Sequence, residues 1–264
     1  MAAIPLIQIN SQASLRREQI SENEFCIVVD DFLKDPGILV EYASRNSADF
    51  SHPNIGYPGV QLRIDDDPMK DIFRLIRSRM SKLYEFMRGR IGIRSLLSMV
   101  TLPPEELAPM QRFCHIDSNP GPGRAKYGGL VYLFNDERLG GTSFYRWRDE
   151  ELVWNAVAML RQDAGKGEEF LKQHFETFRE SPRYMTESNE IAELLYTVPP
   201  RFNRFVFYSG DIPHSGMITA PELLSDDARN GRLTLNLFFS VLPKGDRSSA
   251  KINDRSASIA DQSG

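Results

Sequence analysis

The spacing of apolar residues follows a helical period in the first third of the chain. Between residues 69 and 87, apolar side chains recur every three or four positions, which predicts an amphipathic helix of about five turns. Asp35 followed by Pro36 predicts the start of a shorter helix, because aspartate caps helix N-termini and proline suits the first turn. Two β-branched runs predict short strands, at residues 4–9 and at Phe25–Val29. We therefore expect an N-terminal helical layer over about residues 1–94.

From about residue 95 the pattern changes to short apolar runs separated by Pro, Gly and Asn. This spacing predicts a mainly antiparallel β-sandwich or barrel over about residues 95–243. The predicted strands lie at residues 96–102, 110–116, 129–134, 142–145, 204–208 and 233–241. Helical periodicity returns between about residues 150 and 195, so we expect a helical insert there that buttresses the β-core or covers a site. Residues 244–264 are rich in Ser, Asp and Lys and predict a mobile tail.

Length and composition place these elements in one domain of mixed class. The chain has 264 residues, of which 41% are hydrophobic, which allows a sizeable core within the size of a single β-domain with attachments. We therefore predict a mainly β fold with flanking helices (α+β), in a single domain spanning residues 1–243. The Pro/Gly-rich loop at residues 51–60 and the insert are the expected walls of a pocket, since loops on a rigid scaffold usually carry specificity.

Charge and cysteine content narrow the partners and the compartment. A net charge of −4 with both signs interspersed predicts no nucleic-acid partner and no anionic membrane surface. The apolar runs fall well short of the ~18 residues of a membrane span. Two cysteines cannot form a disulfide framework, and the first ten residues lack a basic segment followed by an apolar one. We therefore expect a cytoplasmic protein without a secretory signal, and the sequence does not set its oligomeric state.

His115 and Asp117 are the first candidates for chemistry. In a strand, residues two positions apart point to the same face, so this imidazole and this carboxylate would project side by side. With one further imidazole they would form a 2-His-1-carboxylate triad, which binds non-haem Fe(II) and leaves coordination positions open. His214 is the candidate for the third ligand, because a predicted buried strand leads into the loop that presents it.

Arg232 stands on the polar face of the last predicted strand. In the segment GRLTLNLFF, alternation places Arg232 and Thr234 on one face and the leucines on the other. A buried arginine is costly without an anionic partner, and a guanidinium group pairs well with a carboxylate through two hydrogen bonds. A dicarboxylate co-substrate would supply that partner.

The order of these motifs is similar to that of a known enzyme family. The segments HID, a Gly/Pro-rich turn, LVYLF, GGTSFY, FVFYSGDIPHSG and GRLTLNLFF follow one another within about residues 95–242. This set resembles the Fe(II)/2-oxoglutarate-dependent oxygenases, specifically their prolyl 4-hydroxylase-like branch. The resemblance implies a double-stranded β-helix (jelly-roll) core, with Fe(II) as the metal, 2-oxoglutarate as co-substrate and O₂ as oxidant. The large insert and the 18-residue spacing from His214 to Arg232 depart from compact members of that branch.

The resemblance also assigns roles to individual residues. It implies that the iron ligands are His115, Asp117 and His214. It implies that Arg232 holds the distal carboxylate of 2-oxoglutarate, with assistance from Thr234 and Tyr132. For Tyr132, a core aromatic with a satisfied hydroxyl is an almost equally good interpretation.

Other residues near these motifs have less specific interpretations. Arg124 and Arg204 are candidate contacts to a charged group of the substrate. Asn119, just past Asp117, is a candidate for supporting the metal ligands or contacting the substrate, although an ordinary turn residue is the better interpretation. Cys114 alternates away from the His115 face, so we interpret it as a packing residue.

The implied activity is hydroxylation of an unactivated C–H bond in an amino-acid or peptidyl side chain, with 2-oxoglutarate converted to succinate and CO₂. The expected partner is therefore a small-molecule or peptidyl substrate. Asp117 favours hydroxylation over halogenation, because halogenating relatives lack this carboxylate.

Two other functions fit the residues. A zinc hydrolase could use the same three ligands to activate a water, although it gives Arg232 no role. The second alternative is a non-catalytic jelly-roll protein that binds a metal or ligand and retains the fold without the enzymatic activity.

Overall fold

The computed structural model describes residues 6–53, 56–65, 69–79, 90–117 and 125–242. In these residues the strands are β1 (Leu15–Gln19), β2 (Phe25–Val29), β3 (Gly59–Ile64), β4 (Arg90–Val100), β5 (Ala125–Tyr132), β6 (Thr142–Trp147), β7 (Ala192–Val198), β8 (Phe205–Ser209), β9 (His214–Gly216) and β10 (Arg232–Leu242). The α-helices are α1 (Gly37–Arg45), α2 (Lys70–Arg79), α3 (Glu150–Gln162) and α4 (Ala164–His174). Among the described helices, none has both the length and the apolar character needed to cross a bilayer.

The strands form two antiparallel sheets. The larger sheet has the order β1-β2-β8-β5-β10-β4-β3, and the smaller has the order β7-β6-β9. Strand β10 lies inside the larger sheet, where it pairs with β4 along its whole length and with β5 along most of it. Because these neighbours are far apart in sequence, the sheet brings residues from several segments of the chain to one place.

Apolar side chains pack on both sides of the large sheet. On one side, the leucines of β10 meet helices α1 and α2; this cluster includes Leu39, Tyr42, Ile72, Leu233, Leu235 and Leu237. A second cluster lies between the two sheets and includes Tyr132, Phe144, Val198 and Tyr208. A third joins the smaller sheet to the insert helices, through Tyr145, Val153, Ala156 and Ala192. The order of layers is therefore helices, large sheet, small sheet, helices.

The predicted class, mainly β with flanking helices, is confirmed by these sheets and helices. The predicted N-terminal helical layer over residues 1–94 is wrong in part, because β1, β2 and β3 all belong to the large sheet. Strand β2 lies where the sequence predicts it, whereas the run at residues 4–9 contributes only an isolated bridge from Ile9 to Leu33 in its described part. The second half of the helix predicted at 69–87 and the predicted tail at 244–264 lie outside the described residues.

The strand predicted at residues 110–116 is wrong. Pro109 begins a single 3-10 turn, Pro109–Gln111, and the side chain of Gln111 accepts a hydrogen bond from the N–H of Ala108 at 2.8 Å. The chain then runs extended, with one isolated bridge at His115. The helical insert also ends earlier than predicted, because its last helical turn, a 3-10 turn, is Glu176–Phe178 and β7 pairs with β6 in the smaller sheet.

Asn203 connects the segment before β8 to the segment after β2. Its side-chain amide donates to the carbonyl of Leu33, and its side-chain oxygen accepts from the N–H of Leu33, both at 2.9 Å. The residue is buried and has a φ of 63°, a left-handed conformation that Asn adopts more readily than Ala. The Asn203 side chain therefore supplies Leu33 with the two hydrogen bonds that a neighbouring backbone would otherwise make, although the two residues are 170 positions apart in the sequence.

We expect Asn203→Ala to lower the free energy of unfolding by about 2–4 kcal/mol, because two hydrogen bonds are lost and buried peptide groups are left unpaired. Denaturant unfolding at equilibrium measures the change. Asn203→Gly is the matched control: it loses the same hydrogen bonds but adopts the left-handed conformation freely, so it should retain about 1 kcal/mol more stability than the alanine variant. Equal stability of the alanine variant and the unaltered protein would contradict this account.

Candidate metal centre

Backbone hydrogen bonds bring the segment at residues 115–117 against the segment before β9. The N–H of His115 donates to the carbonyl of His214 at 3.0 Å, and the N–H of His214 donates to the carbonyl of His115 at 2.8 Å. The N–H of Asp117 donates to the carbonyl of Gly210 at 2.9 Å. This short pairing keeps His115 and Asp117 on one face, as predicted, although the segment is an isolated bridge rather than a regular strand.

The three predicted ligand side chains lie together. One ligand atom from each of His115, Asp117 and His214 falls within 4.8 Å of the other two. Nε2 of His214 is 3.4 Å from Oδ1 of Asp117, and the centroids of the two imidazole rings are 4.6 Å apart. Two imidazoles and one carboxylate in this arrangement match the donor set of a divalent transition-metal site with open coordination positions.

A hydrogen bond fixes the orientation of the His214 ring. Nδ1 of His214 lies 2.8 Å from the carbonyl of Ile212, so this nitrogen carries a proton and donates, which leaves Nε2 facing Asp117 as the nitrogen available to a metal ion. A ligating histidine usually donates its other N–H in this way. Burial opposes charge on both groups, but the Asp117 carboxylate raises the pKa of His214 and the imidazole lowers the pKa of Asp117.

His115 differs from His214 in its surroundings. Protein atoms crowd around the His115 ring, and this burial together with the nearby His214 lowers the pKa of His115 to about 4. The residue nevertheless keeps an exposed side, so the cluster is open to solvent there. A neutral imidazole with a free lone pair is the form that binds a metal ion. His115 is therefore ready to act as a ligand at neutral pH, on the accessible side of the site.

Asp117 carries the clearest sign of a missing partner. Its side chain is 6% exposed, and Oδ2 is buried without a hydrogen-bond partner among the described residues. A buried carboxylate oxygen left unpaired is costly, so native structures almost always satisfy it. A cation held by these three side chains would give this buried carboxylate a charged partner. The residues therefore fit a divalent metal ion.

The close approach of strand β5 shapes the pocket around the Asp117 carboxylate. A Cβ atom added at Gly128 would stand 2.4 Å from Oδ2 of Asp117 and 2.6 Å from Cε2 of Tyr208. A Cβ atom added at Gly129 would instead meet Cε2 of Phe205 at 2.9 Å, in the core that faces the N-terminal helices. The two glycines therefore allow contacts on opposite faces of the same strand.

We expect Gly128→Ala to weaken Fe(II) binding by about 10–100-fold, the range seen when groups supporting metal ligands are changed. The added methyl group would displace the Asp117 carboxylate, because the backbone of β5 is held on both sides. Anaerobic Fe(II) titration measures the affinity. Gly129→Ala is the control, with a loss of stability but an unchanged Fe(II) affinity. Equal effects of the two substitutions on Fe(II) affinity would contradict a direct role for Gly128.

Arg232 is buried at the start of β10 and is 5% exposed. Its Nε donates to the carbonyls of Leu139 and Gly140 at 3.0 and 3.1 Å, and its Nη2 donates to the carbonyl of Gly141 at 2.7 Å. In the part of the chain that the structure describes, no carboxylate forms an ion pair with it. Burial lowers the pKa of Arg232, and the nearest titrating groups are tyrosines rather than acids. A buried cation without a counter-charge favours an anionic ligand.

The two other predicted cofactor residues lie on the same face as Arg232. Thr234 pairs directly with Tyr132 across β10 and β5, and its hydroxyl donates to the carbonyl of Ser98 at 3.3 Å. The Tyr132 hydroxyl donates to Oγ1 of Thr142 at 2.8 Å, and the whole residue is buried. This contact fits the interpretation of Tyr132 as a core aromatic with a satisfied hydroxyl. A role for either residue in cofactor binding stays a prediction.

Two tyrosines that the sequence analysis did not single out also surround Arg232. Tyr57 and Tyr184 are close enough for the Arg232 charge to act on their pKa values. The Tyr184 hydroxyl donates to the carbonyl of Leu102 at 2.6 Å, whereas the Tyr57 hydroxyl is buried without a partner among the described residues. Each lies in a segment predicted to form a pocket wall, residues 51–60 and the insert. The sequence signal that could have indicated these two tyrosines was an aromatic residue within each predicted pocket wall.

The remaining candidates lie elsewhere or outside the described residues. Arg204 is buried and pairs with Asp30, with Nε 2.6 Å from Oδ1, so its predicted contact with a substrate is wrong. Cys114 is fully buried and accepts a hydrogen bond from Nε1 of Trp147 at 3.2 Å, as expected for a packing residue. The other two candidates, Asn119 and Arg124, lie outside the described residues.

Several solved structures are similar to this chain at low sequence identity. The nogalamycin-biosynthesis protein SnoN, described as a non-heme alpha ketoglutarate dependent epimerase, is 13% identical at a TM-score of 0.42, covering 84% of this chain and 82% of its own. A Pseudomonas putida prolyl-4-hydroxylase is 12% identical at 0.40, with 80% and 86% covered. EvdO2 from Micromonospora carbonacea var. aurantiaca is 12% identical at 0.40, with 83% and 86% covered. Likenesses this distant carry no argument about function.

The sequence comparisons place the chain in a family without assigning an activity. No curated protein matches the sequence. Residues 11–239 match the family described as a family of unknown function, DUF6445. This match extends from before β1 to within β10, so it includes all three residues of the candidate metal centre and Arg232. The chain therefore belongs to the DUF6445 family.

Proposed function

We propose that the protein is an Fe(II)- and 2-oxoglutarate-dependent oxygenase that hydroxylates an amino-acid or peptidyl side chain. The observation that carries this proposal is the cluster of His115, Asp117 and His214, in which Oδ2 of the buried carboxylate has no hydrogen-bond partner among the described residues. A second buried charge, Arg232, lies at the start of the strand that pairs with β5. A cation site and an anion site on one face are what a metal and a chelating dicarboxylate require.

His115, Asp117 and His214 would hold Fe(II), which supplies the oxidative chemistry that couples conversion of 2-oxoglutarate to succinate and CO₂ with hydroxylation of a C–H bond. The chain's own residues have defined tasks around it. Ile212 holds the proton of His214 on Nδ1, so Nε2 keeps its lone pair for the metal. Arg232 would bind the distal carboxylate of 2-oxoglutarate and orient the molecule toward the three ligands. The exposed side of His115 leaves an approach for the substrate.

The fold supports the proposal through the position of these residues between the sheets. Asp117 contacts β5 of the large sheet, and His214 begins β9 of the small one. A site enclosed by two facing antiparallel sheets fits a double-stranded β-helix, and we propose that residues 1–243 form one such domain. The class of substrate rests on the similarity of the sequence motifs to the prolyl 4-hydroxylase-like branch. A zinc hydrolase would have no use for a buried arginine at the start of β10.

The test is an anaerobic titration of the metal-free protein with Fe(II) and then with 2-oxoglutarate, observed in the visible range. A metal-to-ligand charge-transfer band that saturates near one equivalent supports the proposal, because it requires the 2-oxo acid to chelate the bound iron. Fe(II) binding without a band would overturn it and favour a binding protein. Zn(II) in place of Fe(II) is the control, since it cannot give the band. Succinate release with free amino acids and peptides would then test the substrate class.

A further inference from the structure

We infer that the Tyr57 hydroxyl, and not that of Tyr132, is the hydrogen-bond donor that completes the carboxylate pocket around Arg232. The inference rests on the proposed function, because it assigns a residue to the 2-oxoglutarate site. Sequence similarity points to Tyr132 for this task. The contacts around Arg232 point instead to a residue from the loop before β3.

Three tyrosine hydroxyls lie within reach of the Arg232 charge, and two of them donate to a partner within the protein. The Tyr132 hydroxyl donates to Thr142, and the Tyr184 hydroxyl donates to Leu102. The Tyr57 hydroxyl oxygen is buried and has no partner with full hydrogen-bond geometry among the described residues. The hydroxyls of Ser98 and Thr234 lie close to it, but Thr234 donates to the carbonyl of Ser98. A buried hydroxyl left without a partner destabilises the protein, so it marks a place where a ligand atom belongs.

The electrostatic environment of Tyr57 suits a donor to an anion. Burial raises the pKa of Tyr57 to about 12, while the positive charge of Arg232 acts in the opposite direction. The phenol therefore keeps its proton at neutral pH and can donate it. A guanidinium and a neutral hydroxyl can share one carboxylate, which accepts hydrogen bonds at both oxygens.

The backbone of Tyr57 is held firmly. Its carbonyl accepts hydrogen bonds from Nε2 of Gln111 and from the N–H of Gly59, both at 3.0 Å. The carbonyl of the next residue, Pro58, accepts from the N–H of Thr101 at 3.1 Å. Gln111 precedes the ligand His115 by four residues. The backbone that carries the Tyr57 side chain is thus positioned in advance by Thr101, the residue after β4, and by the segment that leads to the metal site.

These contacts predict opposite effects of one substitution on stability and on binding. Tyr57→Phe removes an unpaired buried hydroxyl, so the ligand-free protein should keep or raise its melting temperature. The same change should weaken 2-oxoglutarate binding to the Fe(II)-loaded protein by about tenfold or more, because a hydrogen bond to a charged group is lost. The affinity for Fe(II) should not change. If Tyr57 had only a structural role, its substitution would not weaken 2-oxoglutarate binding while leaving the melting temperature and the Fe(II) affinity unchanged.

The experiment compares Tyr57→Phe with Tyr132→Phe as a matched control that loses a hydroxyl bound to Thr142. We expect the control to bind 2-oxoglutarate within about twofold of the unaltered protein and to melt at a lower temperature, because a buried hydrogen bond is lost. Unchanged 2-oxoglutarate affinity in Tyr57→Phe, or a larger loss in Tyr132→Phe, would overturn the inference while leaving the proposed function intact. Absence of 2-oxoglutarate binding by the unaltered protein would overturn both.

Discussion

His214→Ala should weaken Fe(II) binding by at least about 100-fold, because changes that only support a ligand already cost 10–100-fold. His214 supplies the Nε2 atom that faces Asp117, and its ring orientation is fixed by the carbonyl of Ile212. Its removal leaves one imidazole and one carboxylate, which cannot hold a divalent ion against water with comparable affinity. The charge-transfer band with 2-oxoglutarate should disappear together with any succinate formation.

The measurement is anaerobic Fe(II) titration, with unfolding curves to confirm that the variant folds. His174→Ala is the matched control, since His174 is exposed and its ring stacks on Phe170 at the end of α4. It should bind Fe(II) as the unaltered protein does. Fe(II) affinity retained within a few-fold in His214→Ala would remove this residue from the site, and the oxygenase proposal would lose its metal centre.

Arg232→Ala should raise the Kd for 2-oxoglutarate by about 100-fold, because a carboxylate held by two charge-assisted hydrogen bonds gains about 3 kcal/mol. Fe(II) affinity should stay unchanged, since Arg232 is not among the clustered ligands. The variant also leaves the carbonyls of Leu139, Gly140 and Gly141 without their donor, so we expect a lower stability. Binding must therefore be measured below the melting temperature of the variant.

Arg204→Ala is the control that separates a loss of stability from a loss of 2-oxoglutarate binding. Arg204 is also a buried arginine, but it pairs with Asp30 and contacts the carbonyl of Pro199. Its loss should destabilise the protein by about 1–3 kcal/mol, because the carbonyl of Pro199 loses its donor while Asp30 keeps its ion pair with Arg16, yet it should not alter 2-oxoglutarate affinity. If both arginine variants weakened 2-oxoglutarate binding equally, the effect would come from general loosening of the fold and Arg232 would have no specific role.

The metal ligands could be predicted from the sequence because their geometry is local. An i, i+2 spacing places His115 and Asp117 on one face of any extended segment, so the prediction did not depend on a regular strand forming there. Alternation in β10 was equally informative, since every second residue of GRLTLNLFF enters the apolar core against α1 and α2. Arg232 and Thr234 therefore had to lie on the opposite face.

The parts that sequence did not predict depend on distant contacts. Nothing near Tyr57 in the chain indicates that its hydroxyl lies beside β4 and β10, because the loop is positioned by Gln111 and Thr101. The pairing of Arg204 with Asp30 spans 174 residues and is likewise invisible to local pattern. The strand predicted at 110–116 failed for a local reason, because Pro109 favours the first position of a tight turn over a paired strand.

A ligand bound at Arg232 should slow amide hydrogen exchange along the whole of strand β10. The amides of this strand are hydrogen-bonded between β4 and β5 inside the large sheet, so their exchange with deuterium should require opening of the whole sheet. Arg232 begins this strand. A ligand bound there adds RT ln(1 + [L]/Kd) to the free energy of that opening and slows exchange along the entire strand. Occupancy of the pocket should therefore be readable from slowly exchanging amides at the far end of β10, well away from the ligand itself.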